Sequence, residues 1–322
     1  MVTVAGGLLA IARAAAAQQT PAKVAKVGLL LGATASSLSV QIEPFRQTLR
    51  ERGWNEGQNL TLVFRSSEGQ YDRLPALAHE LLDFGVDVIV TDGTPPTSAA
   101  LELTRTVPIV MATTGDPAGA GLVRSLARPG GNVTGASYFL PEINAKRLEL
   151  LKEALPRIAR VAVIYNPLNP VDESALVTIE ATAKALHVRI ERLAVRAPID
   201  FESVFPKLTR QRVDAVTVVE DPMLHSVSLR VVEAGLREKV PAVFSLPNYV
   251  VAGGFMSYGP NRPALWRHAA RLTDKILRGA KPGDLPVEQP TTFELVINLK
   301  TARTLGLTIP PSVLTRADQL IE

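Results

Sequence analysis

TTGDPAGAGLVRSLARPGGNVTGASY, residues Thr113–Tyr138, is the stretch that decides the fold. It follows a short apolar run, Pro108-Ile109-Val110-Met111, which reads as a buried strand. Asp116-Pro117 then reads as a helix start. Asp caps free amides, and Pro is tolerated where its missing N–H would be unpaired anyway. The apolar residues that follow read as helical, stopped by Pro129-Gly130-Gly131. Asn132-Val133-Thr134-Gly135-Ala136 is the next strand. A strand that hands polar residues to a helix start is where open α/β sheets bind ligands. The end of the stretch, from Asn132 to Tyr138, reads as the first crossing between two lobes.

The same rhythm runs outward on both sides. Upstream, strands are expected at Val24–Leu31, Leu60–Phe64 and Val86–Thr91, with helices at Gln41–Arg52, Asp72–Phe84 and Thr97–Leu103. Downstream, a long helix at Glu142–Leu155 leads into a second series. Its strands are Arg160–Tyr165, Val188–Leu193, Ala215–Val219, Ala242–Ser245 and Gly254–Ser257. Its helices are Glu173–Leu186, Phe201–Arg210 and Val227–Glu238. Continuous apolar strands alternating with helices are the pattern of parallel sheets covered on both faces. The pattern occurs twice, so the expected fold class is α/β, two doubly wound Rossmann-like lobes joined by a hinge, rather than one barrel. The remainder holds a helix at Pro263–Arg278, a turn-rich connector from Lys281 to Pro286, a strand at Phe293–Leu299 and a short helix at Thr301–Leu305. That is too little for a third lobe. The expected division is 23–137 plus about 262–288 for lobe 1, and 138–261 plus about 289–322 for lobe 2.

Composition narrows the function. The chain has 322 residues, 46% hydrophobic and 20% charged, enough for two lobes with a core each. A net charge of +4 with scattered basic residues argues against nucleic acid, despite a pI near 9.4. There are no cysteines, which excludes disulfides, thiol nucleophiles, Cys-ligated metals and a lipidated cysteine anchor. Val2–Ala17 is apolar and rich in small residues, and Ala15-Ala16-Ala17 fits a signal-peptidase site. It is too short and too interrupted by Arg13 to span a membrane. Residues 1–22 are therefore expected to be a signal-peptide remnant, lacking its basic n-region, and linker.

A polar residue followed by Pro recurs directly after strands: Thr94-Pro95, Asp116-Pro117, Asn169-Pro170 and Asp221-Pro222, with Gly259-Pro260-Asn261 as a variant. Each alone is an ordinary cap. Together they bring several helix N-termini to one cleft, which suits an anionic group. Asp116 and Asp221 would offer carboxylates to an ammonium, so an amino-acid-like zwitterion is expected. Ser36, Ser37, Thr91, Thr94, Thr113 and Asn166 would add neutral hydrogen bonds. Tyr138, Phe139, Tyr165 and Tyr258 could wall its side chain. Catalytic patterns are missing. The four histidines, His79, His187, His225 and His268, form no H-x-x-x-H pair, and His79 and His268 read as surface or interface residues. No G-x-S-x-G elbow, P-loop or G-x-G-x-x-G occurs. Glu220, adjacent to Asp221, reads as a solvated acid beside a cap. No cofactor or metal is expected.

Several stretches carry a resemblance. They are Phe45-Arg46-Gln47 with Gly53–Asn59, Glu68–Leu74, the opening segment, Ala145–Leu151, Ala252–Gly259 and Phe293–Lys300. Together they resemble the ABC-transporter substrate-binding proteins of the TrpX tryptophan-binding type, over nearly the whole chain. The resemblance implies a type I periplasmic binding protein fold, a small molecule between the lobes, delivery to ABC permease subunits, and no catalysis. It implies a periplasmic monomer, and that Asp221 holds the ligand amine. The chain departs from the tryptophan type at Glu220-Asp221-Pro222-Met223, where Thr-Asp-Asn is usual, and at Ala118, where Val commonly stands. An enzyme on the same scaffold would need an activated base in the cleft. A ligand-sensing regulator would need a DNA-binding segment, for which residues 1–23 are too few and too apolar.

Overall fold

AKVGLLL, VIVTD and IVMAT lie at the centre of one sheet, and their side chains are almost all buried on both faces. The computed structural model describes residues 24–138 and 140–322, so the expected signal peptide and Phe139 lie outside the described residues. The first series runs β1 (Ala25–Leu31), α1 (Ser39–Glu51), β2 (Leu60–Ser66), a 3-10 turn at Tyr71–Arg73, α2 (Leu74–Asp83), β3 (Val88–Asp92), α3 (Thr94–Leu103), β4 (Ile109–Thr113) and β5 (Val133–Gly135). These strands form a parallel sheet in the order β2-β1-β3-β4-β5.

The second series runs α4 (Leu140–Ala154), β6 (Arg160–Tyr165), α5 (Asp172–Ala185), β7 (Arg189–Ala194), α6 (Phe201–Arg210), β8 (Ala215–Val218), α7 (Pro222–Glu238), β9 (Ala242–Phe244), α8 (Pro247–Val251) and β10 (Met256–Pro260). Then come α9 (Arg262–Leu277), β11 (Phe293–Asn298), α10 (Leu299–Thr304), α11 (Pro311–Leu314) and β12 (Gln319–Ile321). The second sheet is ordered β7-β6-β8-β9-β10-β11-β12. Its first five strands repeat the winding of the first sheet, and β11 then joins antiparallel to β10. The structure is thus mixed α/β with two doubly wound lobes.

The helix α9 returns to the first sheet. Its Trp266 is fully buried edge-on against Phe45, with ring centroids 6.0 Å apart, and Ala269, Leu272 and Ile276 join the core of Leu29, Leu31 and Val90. The chain leaves again beside its earlier crossing: Glu288 N–H donates to Gly135 O at 3.0 Å, and Ser137 N–H donates to Glu288 O at 2.9 Å. His268 of α9 reaches the same place, with Nδ1 2.9 Å from Glu288 Oε2. It is buried rather than a surface residue, and burial lowers its pKa.

The stretch read as helical after Asp116 is not a helix. Residues 117–132 form turns and bends that close the sheet beyond β4. Gly121 takes a positive φ of 71°, and both Leu122 and Val123 N–H turn back onto Pro117 O. Leu122 and Val123 are buried against Val133 and Leu101, so the apolar spacing reflects a packed loop. Gly130 and Gly131 therefore stop no helix.

Candidate functional site

In a sheet ordered 2-1-3-4-5, the chains leaving strands 1 and 3 depart to opposite faces and open a crevice at the carboxyl edge. In the first sheet this switch point lies between Gly32, after β1, and Gly93-Thr94, after β3. In the second it lies between Asn166–Asn169, after β6, and Val219–Pro222, after β8. The two switch points meet face to face. A Cβ on Gly32 would stand 2.7 Å from Pro222 Cβ, and one on Gly93 would stand 2.4 Å from Pro222 Cγ. The cleft is closed, and glycine at both positions lets it close.

Asp221 caps α7, accepting from Leu224 N–H at 3.0 Å. The same carboxylate accepts from Asn166 Nδ2 at 3.3 Å, Asn169 Nδ2 at 2.9 Å and the Tyr71 hydroxyl at 2.8 Å. Tyr71 belongs to the first lobe, and its oxygen also accepts from Met223 N–H at 2.9 Å. One phenol therefore ties the first lobe to the first turn of α7. Burial raises the Asp221 pKa, against four hydrogen bonds that lower it. Burial and the neighbouring Asp221 charge raise the Tyr71 hydroxyl further still.

Asp172 stands behind Asp221. Its Oδ2 accepts from Asn166 N–H at 2.9 Å, and its Oδ1 is buried without a partner. Burial, then the Asp221 charge, push its pKa well up, and Glu220 and Glu173 add to the push. A carboxyl raised in the folded state is ionised first in the unfolded chain, so its contribution falls as pH climbs from about 3.9 through the raised value. Asp172→Asn is therefore expected to stabilise the protein by about 1–3 kcal/mol at pH 7.5 by removing a buried ionisable group whose Oδ1 has no partner. The gain should vanish near pH 4. Thermal unfolding at both pH values checks this, and an equal effect at both would contradict it.

A second buried cluster spans the lobes beside Asp221. Arg262, the first residue of α9, donates to Glu220 through Nη1, and through Nη2 to Asp92 Oδ1 at 2.5 Å and Thr113 Oγ1 at 3.0 Å. The Thr113 hydroxyl donates to Asp92 Oδ1 at 2.6 Å. Arg147 of α4 donates Nε to Tyr258 O at 2.7 Å and Nη1 to Asn144 Oδ1 at 2.6 Å. Its Nη2 lies 3.8 Å from Glu220 Oε2, beyond hydrogen-bond reach. His225 Nε2 is 2.8 Å from Glu220 Oε1, a close contact without hydrogen-bond alignment. Burial pushes the Glu220 pKa up, but His225, Arg262 and Arg147 together hold it below the usual carboxylate range. Tyr138 borders the cluster, its hydroxyl raised by burial and by Glu220. Glu220 is thus not a solvated acid but the hub of an interlobe ion network.

Thr94, Thr113, Tyr138, Asn166 and Asp221 are gathered where the switch points meet, and the Thr94 hydroxyl is buried without a partner. Tyr258 offers its carbonyl to Arg147 while its ring stacks on Phe293 at 5.9 Å. Tyr165 is half-buried at the end of β6, packed on the core of its own lobe. Ser36 and Ser37 follow Gly32 at the carboxyl end of β1. They turn the chain into α1, with Ser37 Oγ donating to Thr34 O at 2.8 Å and Ser36 exposed. Thr91 also serves its own lobe, sharing a 2.7 Å hydrogen bond with the Thr97 hydroxyl that pins α3 to β3. Asp116 caps a turn, accepting Gly119 N–H at 2.9 Å, and no helix N-terminus stands there. Tyr71, Asp92, Arg147, Glu220 and Arg262 were not picked out from the sequence as site residues. Tyr71 and Arg147 left a signal, lying within the recognised Glu68–Leu74 and Ala145–Leu151 stretches.

Comparison with known proteins places the chain. The family model described as ABC transporter substrate binding protein matches residues 26–321, and the chain belongs to that family. A tyrosine-binding protein of Clostridioides difficile (strain R20291) is 27% identical over 84% of this chain and 78% of its own. The crystal structure of an ABC domain from Streptococcus pneumonia in complex with L-Trp is 31% identical, with a TM-score of 0.85 over 92% of this chain and 99% of that one. A conserved domain protein of Vibrio cholerae is 29% identical, with a TM-score of 0.87 over 92% of this chain and all of that one. The fold is the type I periplasmic binding arrangement of these neighbours. Among the described residues no helix is long and apolar enough to cross a membrane.

Proposed function

We propose that this chain is the extracytoplasmic solute-binding component of an ABC importer, closing on one amino acid and presenting it to permease subunits. The observation that carries this reading is the set of charged side chains, contributed by both lobes, that meet at the facing switch points with polar atoms left unpartnered. A ligand bridging the lobes favours closure by its differential affinity for the closed form. Proposed contacts are Thr94, Thr113, Tyr138 and Asn166, with Arg147, Glu220 and Arg262 added, and Asp221 stands beside them where the lobes meet. Aromatic amino acids are the first candidates, since one relative is named for tyrosine and a neighbour holds L-Trp.

The test is calorimetric titration and thermal unfolding of protein stripped of co-purified ligand, against the twenty L-amino acids. An amino acid at a hundredfold its dissociation constant should stabilise the fold by about 2.7 kcal/mol. No shift with any of them would refute an amino-acid ligand.

A further inference from the structure

We infer that the ligand's ammonium is held by Glu220 with Asp92, and its carboxylate by Arg147 and Arg262, while Asp221 acts as an interlobe latch and not as the amine receptor. This rests on the reading above that the ligand is an amino acid.

Asp221 has no capacity to spare. A carboxylate offers about four lone-pair directions, and four donors already fill them. Three of those donors come from its own lobe and would be left buried and unpaired if a ligand displaced them. The fourth, Tyr71, comes from the opposite lobe, so filling Asp221 is itself part of closure.

The neighbouring cluster has the reverse character. Glu220 Oε2 and Asp92 Oδ2 are buried acceptors without a donor. Arg147 Nη2 and Arg262 Nε are buried donors without an acceptor. All four side chains are at most 4% exposed. Glu220 Oε2 and Arg147 Nη2 face each other across 3.8 Å, too far to satisfy each other directly. Buried ionic atoms in that condition are costly, and native proteins pair them. An α-amino-acid head group supplies the missing set in sign and kind, donors for the two acids and acceptors for the two guanidinium groups. Asp92 projects from the first sheet, Glu220 and Arg147 from the second-lobe elements, and Arg262 from a helix packed on the first. A head group held there is gripped from both lobes, which couples its recognition to closure.

The test compares each amino acid with its desamino analogue: L-tyrosine against 3-(4-hydroxyphenyl)propionate, and L-tryptophan against indole-3-propionate, by calorimetry on stripped protein. The wild type should prefer the amino acid by about 100-fold or more, as sites built around a polar group reject analogues lacking it. Glu220→Gln should cut that preference to about tenfold or less, because the analogue never used the acid. Asp221→Asn should weaken both ligands together and leave the preference near its wild-type size. A purely structural Glu220 would weaken both ligands equally, and that result overturns the assignment. So does loss of the preference in Asp221→Asn with its retention in Glu220→Gln. If Glu220→Gln does not fold, Glu220→Asp keeps the charge that Arg262 and Arg147 need while withdrawing the carboxylate. The same loss of preference is then required. If no amino acid binds the wild type, the amino-acid reading fails first and the inference falls with it.

Discussion

Gly32→Ala is expected to hold the two lobes apart and to weaken ligand binding by about 5- to 150-fold, the equivalent of about 1–3 kcal/mol of overpacking. The new Cβ would lie 2.7 Å from Pro222 Cβ and 3.3 Å from Pro222 Cγ. Real Cβ atoms do not approach that closely, and the proline ring cannot swing away. It sits at the start of α7, fixed by the Asp221 cap behind it. Gly32 does not occupy the left-handed region, so alanine costs its backbone nothing. The penalty falls on closure and leaves the first lobe intact. Gly93 is a poorer probe. Its φ of 101° makes any side chain strain α3 as well as meeting Pro222. Small-angle scattering with and without ligand, beside calorimetry, checks the expectation. Gly32→Ala should scatter as the more open form even with ligand at wild-type saturation, and Gly32→Ala with Pro222→Gly, which removes the opposing Cβ, should recover affinity. Full affinity and a closed profile in the single variant would contradict the wedge.

The framework was legible because parallel strands buried on both faces announce themselves as continuous apolar runs. AKVGLLL and RVAVIY needed no long-range information to be read as β1 and β6. Asp221 was legible for a related reason: a cap before proline is a local signal, and α7 does begin there. The opening segment misled because Leu122, Val123 and Leu126 carry helix-like spacing, while Gly119, Gly121 and Pro129 give the chain freer routes. Packing against Val133 and Leu101 selected a loop. Glu220 was misread because its meaning lies in partners far along the chain. Arg262 is 42 residues away, and Tyr71 reaches Asp221 across 150 residues. An acid beside a cap looks the same in sequence whether it meets water or two arginines. Only the docking of α9 and α4 around the cleft distinguishes the two. Sequence-local reasoning therefore reached the caps of the site and missed its charges.

Those charges make Arg262→Met the substitution expected to cost most stability, about 3–5 kcal/mol at pH 7.5. Methionine fills much of the volume but leaves Asp92 with only the Thr113 hydroxyl at Oδ1, and Glu220 with His225 and the 3.8 Å approach of Arg147. The sign of its pH dependence follows from Glu220. In the wild type its folded pKa is depressed, so its contribution is present above the unfolded value of about 4.3 and is lost as pH falls toward the folded one. Without the guanidinium, burial dominates and Glu220 takes up a proton more readily. The variant can then neutralise the exposed imbalance in mild acid, where the wild type cannot gain. The stability difference should therefore be larger at pH 7.5 than at pH 5, measured by urea unfolding at both. Arg262→Lys should fall between, since a single ammonium keeps the charge but cannot fork to Asp92 and Glu220 together. A difference below about 1 kcal/mol, the range of exposed ion pairs, would mean the network contributes no more than a surface bridge. A difference that does not change with pH would mean the loss comes from packing alone.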